Sequence, residues 1–174
     1  MILSLVYYDN HILRLRSEKV AKITPEIKQF VYDMIETMDA NNGIGLAAVQ
    51  VGKHLRIIVI RQILQNESNE GVLGEAEVFI NPHLTNPCEK TEISPEGCLS
   101  VPGLHLDVDR PVSIHVEALD INGGPISKTC TGFHARQIMH ENDHLNGVLF
   151  IDRLTAKKRK EVGACLKAIK SKYN

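Results

Sequence analysis

The chain has 174 residues, 43% of them hydrophobic, and its 20 lysines and arginines against 21 aspartates and glutamates leave a formal net charge of −1. That length supports one core of useful size, read here as one domain over residues 1–174. The charge balance excludes a global field drawing the chain to DNA or an anionic membrane, and no run approaches the roughly 18 apolar residues of a membrane span.

The opening MILSLVYYDNHILRLR is broken by Asp9, Asn10 and His11 before it can form the apolar stretch of a signal peptide. Cys88, Cys98, Cys130 and Cys165 are irregularly spaced, so they read as thiols of a cytoplasmic protein rather than as a disulfide framework. Thr24 can cap a helix with Pro25 in its first turn, and Ile27, Phe30, Val31, Met34, Ile35 and Met38 keep one apolar face until Gly43. LRIIVI (Leu55–Ile60), EVFINP (Glu77–Pro82) and VSIHVEALD (Val112–Asp120) are β-branched runs, predicted as antiparallel strands, and Gly123-Gly124 fits a turn after the last. Between the first two, RQILQNESNEGVLGEA reads as a surface loop or hairpin. The tail TAKKRKEVGACLKAIKSKY reads as one basic amphipathic helix with Val162, Leu166 and Ile169 on one side; its lysine-rich face is ordinarily just solvated.

Chemistry concentrates in QIMHENDHLNG. On a helix, His140 and His144 stand at i and i+4, about 5–6 Å apart at Cβ, so both imidazoles can reach one metal ion. Glu141 projects beside them, placed to touch a water held by the metal. The bland alternative is a pair of polar surface histidines. Against it, Ile138 and Leu145 flank the motif and Gly147 offers a stop, giving this helix one side in the core.

Two histidines need a further protein ligand. Downstream, the chain offers only the carboxylates of Asp152 and Glu161. Upstream, SPEGCLSVPG holds Cys98 in a segment framed by prolines, where a thiolate can complete a Cys-His-His set; by itself Cys98 reads as a small buried hydrophobe. A third segment, GIGLAAVQVG, combines glycines that permit close backbone approach with the amide of Gln50; by itself it reads as a helix cap and a buried turn.

Taken in order, Gly43-Ile44-Gly45-Leu46-Ala47-Ala48-Val49-Gln50, Glu96-Gly97-Cys98-Leu99-Ser100 and His140-Glu141-Asn142-Asp143-His144 resemble the three motifs of the peptide deformylase family. The likeness runs from Asp9-Asn10-His11-Ile12-Leu13-Arg14 to Gly132-Phe133-His134-Ala135-Arg136. It implies an α+β fold, with antiparallel strands packed around the central motif helix and helices at both ends. It also implies that Cys98, His140 and His144 bind one divalent ion with a water in the fourth place. That ion is ferrous iron by resemblance, with nickel, cobalt or zinc as substitutes.

The implied reaction is hydrolysis of the formyl group from N-formylmethionyl nascent peptides. Glu141 serves as base and then acid, and Gln50 and the Leu99 N–H serve as oxyanion donors. Ile44, Gly45 and Gly97 offer backbone to an extended peptide. Phe133, Arg136 and Gln137 join Ile44 around the methionine side chain, and Arg110 contacts the substrate backbone. The lysine-rich tail then has a second reading, proximity to the ribosome. Three positions depart from the usual pattern: Val49 replaces a proline, Met139 a glutamine, and Gln137 a small apolar residue, which narrows or polarises the methionine pocket. Two readings from other classes compete. A zinc endopeptidase would take its third ligand after His144, and a non-enzymatic metal-binding module would be indifferent to loss of Glu141.

Overall fold

The computed structural model describes residues 1–66, 68 and 70–173. Helix α1 spans Pro25–Ala40, with the Thr24 hydroxyl accepting from the Ile27 N–H and Pro25 in the first turn, where a missing N–H costs nothing. It ends three residues short of Gly43. A short strand β1 (Gly45–Ala47) follows and runs into a 3₁₀ turn over Ala48–Val51.

Strands β2 (Ile57–Gln65) and β3 (Gly71–Thr85) pair antiparallel, so the segment between the predicted strands is the far half of a hairpin. Glu67 and Asn69, at its tip, lie outside the described residues. Next come β4 (Thr91–Cys98), β5 (Val101–Pro111), β6 (Ser113–Leu119) and β7 (Pro125–Thr131). The motif helix α2 occupies Gly132–Leu145, and α3 (Ala156–Glu161) and α4 (Gly163–Tyr173) close the chain. The tail is therefore two helices rather than the single one expected. The break falls at Val162–Gly163, where glycine is a poor helix former. Leu166 and Ile169 are buried as the pattern requires, with Val162 packed against the same cluster.

Among the described residues the named strands pair antiparallel throughout: five strands in the order β1-β2-β3-β6-β7, and a separate β4-β5 pair. β2 explains the layering. Its side chains alternate, Ile58 and Ile60 entering the cluster under α2, Ile57 and Val59 the cluster under α1. Both faces of the sheet are thus covered, which is why LRIIVI is a continuous apolar run. A third cluster, built on Val101, Leu104, Val108, Phe150, Leu166 and Ile169, joins the β4-β5 pair to α4. α2 therefore lies between the sheet and the β4-β5 pair. Ala135, Ile138, Met139 and Leu145 face the sheet, while Arg136, His140, Asp143 and His144 are buried by other neighbours. After the helix, Gly147 adopts φ +75°, and a Cβ there would run into the Arg14 carbonyl, leaving no room for a side chain. Among the described residues no helix is long and apolar enough to cross a membrane.

Candidate active site

The two histidines are not surface residues: His140 is 7% exposed and His144 1%. Cys98 ends β4, and the tight turn Leu99-Ser100 carries the chain into β5. Register jumps there from Glu96↔Leu106 to Cys98↔Val101, so Pro102–His105 bulge outward with Gly103 at φ +76°. The bulge brings Cys98 Sγ to 3.2 Å from His144 Nε2.

The donor atoms of Cys98, His140 and His144 all lie within 4.8 Å of one another. Donors sharing a tetrahedral transition ion at about 2.0–2.3 Å stand roughly 3.3–3.8 Å apart, so small side-chain adjustments suffice and the set fits. Its orientation supports the same use. His140 Nδ1 lies 2.9 Å from a Glu96 carboxylate oxygen, leaving Nε2 for a ligand. One thiol and two imidazoles favour a first-row transition ion over magnesium or calcium. The alternative downstream ligands are engaged or remote: Asp152 pairs with Arg14 and Arg159, and Glu161 is exposed on α3.

Glu96 also anchors a cluster that the sequence did not disclose. Arg110 donates to both its oxygens, at 2.5 and 2.8 Å, and Arg136 to one at 2.8 Å. Arg110 also reaches Asp143 at 2.8 Å, which Arg153 grips from the other side. Burial opposes the Glu96 charge, but Arg110 and His140 outweigh it and hold the carboxyl well below the usual carboxylate range.

Glu141 is 5% exposed, and one of its carboxylate oxygens has no hydrogen-bond partner among the described residues. Burial lifts this carboxyl to about 7, a shift that a cation held by the neighbouring triad would oppose. The role of Gly45 follows: a Cβ there would come within 3.0 Å of the Glu141 carboxyl carbon, so only glycine lets the carboxylate lie against β1. Gln50 is 1% exposed and its amide is oriented from both ends. Its Oε1 accepts from the Ala47 N–H at 2.8 Å, which turns Nε2 toward Ser100 Oγ at 3.1 Å and Cys98 Sγ at 3.5 Å.

These groups open on one cavity of about 650 Å³. Of the residues singled out from sequence, Ile44, Gly45, Gln50, Gly97, Cys98, Leu99, Phe133, His140 and Glu141 line it. His144 lies just behind the lining, and Arg110, Arg136 and Gln137 do not line it either, which differs from the cleft positions expected of those three. Arg110 and Arg136 are spent on Glu96, and Arg136 also caps the carbonyls of Glu92 and Val108. The Gln137 amide nitrogen bridges the carbonyls of Ile44 (3.2 Å) and Arg61 (2.9 Å), tying α2 to the start of β1 and to β2. Met139 is 8% exposed in the core under the sheet, and Val49 is fully buried there. The unforeseen participants are Glu96 behind His140, Ser100 behind Gln50, and Leu5, Tyr7, His105 and Tyr173 on the cavity wall. The only local signal for the first two was their place inside the EGCLS motif.

Comparison with known proteins points the same way. The family model for polypeptide deformylase matches residues 2–160. The peptide deformylase of Bradyrhizobium sp. (strain ORS 278) is 43% identical over 150 residues, covering 86% of this chain and 85% of the relative. That of Methylacidiphilum infernorum is 40% identical, covering 98% of this chain and 94% of the relative. In three dimensions, peptide deformylase from Ehrlichia chaffeensis superposes with a TM-score of 0.89 at 38% identity, covering 99% of this chain and 97% of the other. Its complex with actinonin superposes with a TM-score of 0.88 at 39% identity, covering 98% and 97%. The Cys-His-His set with its two buried histidines, the glutamate beside it and these matches over nearly the whole length agree: the chain belongs to the polypeptide deformylase family.

Proposed function

We propose a division of labour for the hydrolysis this deformylase carries out, removal of the N-formyl group from the N-formylmethionine of newly synthesised polypeptides with release of formate. Cys98, His140 and His144 would hold one divalent transition ion, ferrous iron by family resemblance, with nickel, cobalt and zinc suited to the same donors. When bound, the ion supplies Lewis acidity that makes water a competent nucleophile near neutral pH.

The chain's own groups do the rest. Glu141 takes a proton from the attacking water as its oxygen bonds to the formyl carbon. It then returns a proton to the methionine nitrogen as the C–N bond breaks, leaving formate and a free amine. The carbonyl oxygen gains charge on attack, and the Gln50 Nε2 and the Leu99 N–H are the donors assigned to it. Ile44, Gly45 and Gly97 present backbone to an extended peptide, so recognition does not depend on the sequence that follows. Ile44 and Phe133 flank the methionine side chain. Gln137 acts on that pocket from behind, by fixing the Ile44 carbonyl. Glu96 fixes the His140 ring, with Arg110 and Arg136 keeping Glu96 ionised. Newly made polypeptides are met in the cytoplasm beside the ribosome, which is where we place the enzyme, with the lysine-rich α3–α4 segment as the face nearest the ribosome.

One observation carries this reading: an unpartnered buried Glu141 oxygen stands in the same cavity as Cys98 and His140 of the Cys-His-His set and the oriented Gln50 amide. The test is Glu141→Gln, with metal content and formate release measured on one preparation. Metal should be retained while turnover falls by about 10²–10⁴-fold. A metal-replete variant within about tenfold of wild type would remove Glu141 from the reaction, and loss of the metal would make Glu141 a ligand. Elemental analysis of anaerobically purified protein tests the assignment of iron.

A further inference from the structure

His140 and His144 enter the site with unequal support. His140 Nδ1 lies 2.9 Å from Glu96, which fixes its ring. His144 Nε2 lies 3.2 Å from Cys98 Sγ, but its Nδ1 is buried with no hydrogen-bond partner among the described residues. No polar group there orients that ring from behind, so its place depends on where the last turn of α2 carries its backbone.

The last turn is held from outside. The four carbonyls that end a helix have no partner within it. Here each is met: that of Asn142 by the Asn146 side chain (2.9 Å), that of Asp143 by the Asn146 and Val148 N–H groups (2.9 and 3.0 Å), that of His144 by the Gly147 N–H (3.1 Å) and that of Leu145 by the Ser17 N–H (2.9 Å). Arg56 adds a cation to this end. Its Nη1 donates to Asn146 Oδ1 at 3.1 Å and to the Leu145 carbonyl at 3.5 Å, and its Nη2 to Asn142 Oδ1 and the Pro82 carbonyl, both at 3.1 Å. Asn142 and Asn146 stand at i and i+4, so one planar guanidinium brackets the turn that carries Asp143 and His144.

The base of this bracket is itself fixed. Arg56 immediately precedes β2; its N–H donates to the Glu18 carbonyl at 2.8 Å and its carbonyl accepts from the Asn81 N–H at 2.7 Å. Its side-chain partners among the described residues are all neutral oxygens, while burial and the Arg16 charge both oppose its ionised form. The negative end of the α2 dipole is what offsets the cation.

We infer that Arg56 is the positioning residue of His144, gripping the last turn of α2 so that this imidazole meets the ion in register with Cys98 and His140. The inference rests on the ligand set proposed above. Glu96 acts on His140 through the ring, and Arg56 acts on His144 through the helix. Lysine would keep the charge but lacks the fork that reaches both asparagines.

The experiment loads Arg56→Lys, Asn142→Ala and the double variant with cobalt(II). Metal affinity is measured by chelator competition, the visible d–d absorption of the bound ion reports its ligand geometry, and urea midpoints of the chelator-treated proteins report stability. Each single variant should bind about tenfold more weakly or worse, the loss expected when the support of a ligand is removed, with displaced d–d bands. The double variant should bind about as weakly as Arg56→Lys alone, because both substitutions break one contact. Wild-type affinity and an unchanged spectrum in the single variants, with only the urea midpoint lowered, would make Arg56 a structural residue and overturn the inference. Losses that multiply in the double variant would overturn it too. Asn142→Ala keeps the cation in place, so it decides the matter even where Arg56→Lys fails to fold. Stoichiometric, tightly held metal in His144→Ala would instead overturn the ligand set, so the two failures are distinguishable.

Discussion

Replacing Glu96 by glutamine keeps the side chain's size but removes the charge at the centre of the buried cluster. Three cationic or ligand groups depend on that charge: Arg110 through both oxygens, Arg136 at 2.8 Å and His140 Nδ1 at 2.9 Å. The Glu96 and Arg110 side chains are 4% and 2% exposed, so water cannot replace the lost carboxylate. Breaking one side of a buried ion pair typically costs about 3–5 kcal/mol, against a total domain stability of roughly 5–15 kcal/mol. For a chain of this length that corresponds to about a 6–20 °C fall in Tm. A second effect is local: His140 loses the partner that fixes its ring, and such losses cost about 10–100-fold in metal affinity. The sign of the pH dependence is also determined. The Glu96 carboxyl is lowered from its ordinary 4.5, so its stabilisation is present above that value and is lost as pH falls toward the folded-state value. The variant should lack this part of the wild-type acid sensitivity. Urea unfolding of chelator-treated protein at neutral and acid pH, with metal affinity measured by competition, tests all three effects. A variant less than about 1 kcal/mol destabilised, with unchanged metal affinity, would refute the claim that the cluster depends on Glu96.

Other expectations can be checked in parallel. Cys98→Ala, His140→Ala and His144→Ala should each lose most bound metal by elemental analysis, and stoichiometric metal in Cys98→Ala would remove the thiol from the ligand set. Gln50→Leu should keep its metal and lose about 10²–10³-fold in kcat, whereas wild-type turnover would exclude the amide as an oxyanion donor. At the start of α2, on the face of the sheet that this helix covers, His134 Nε2 lies 3.0 Å from Glu77, an ion-pair distance although the hydrogen-bond angle is poor. Burial lowers the His134 value, but Cys130 and Glu77 outweigh it and raise the imidazole to about 9. The resulting stability is complete below about 6.5 and lost as pH rises through about 9, so Glu77→Gln should flatten the change in urea midpoint across that interval. An unaltered slope would mean that Glu77 is not the partner.

Much of this was available in local pattern. Thr24-Pro25 and the apolar spacing after it specify α1 because a cap and a 3.6-residue period are properties of the segment alone. The unbroken apolar run of β2 likewise announces a strand covered on both faces. The i, i+4 pair of His140 and His144 sets two ligands on one face of any helix that contains it. β1, β4, β5 and β7, however, were not read as strands: GLA is three residues long, TEISPEGC and VPGLHLDVDRP carry prolines and few β-branched residues, PISKTCT opens on a proline, and their pairing partners supply what local pattern does not.

The third ligand shows the limit most clearly. Cys98 lies 46 positions before His144, and only the bulged β4-β5 pair packed against α2 brings them to 3.2 Å; local composition made Cys98 a candidate and motif resemblance assigned it, since no period links the two. Gly45 was assigned close approach to a ligand, yet its neighbour is the Glu141 carboxylate, 96 positions later in the chain. Arg110 and Arg136 were read as substrate contacts from their positions beside the motifs under the family resemblance, and the fold spends them on Glu96. Sequence determines which side chains are present and which faces of a helix or strand they share, because those depend on bonds a few residues apart. Tertiary structure alone decides which charge meets which across the core, because burial removes water as an alternative partner and so each buried ion must find its counterion wherever the packing brings one within reach.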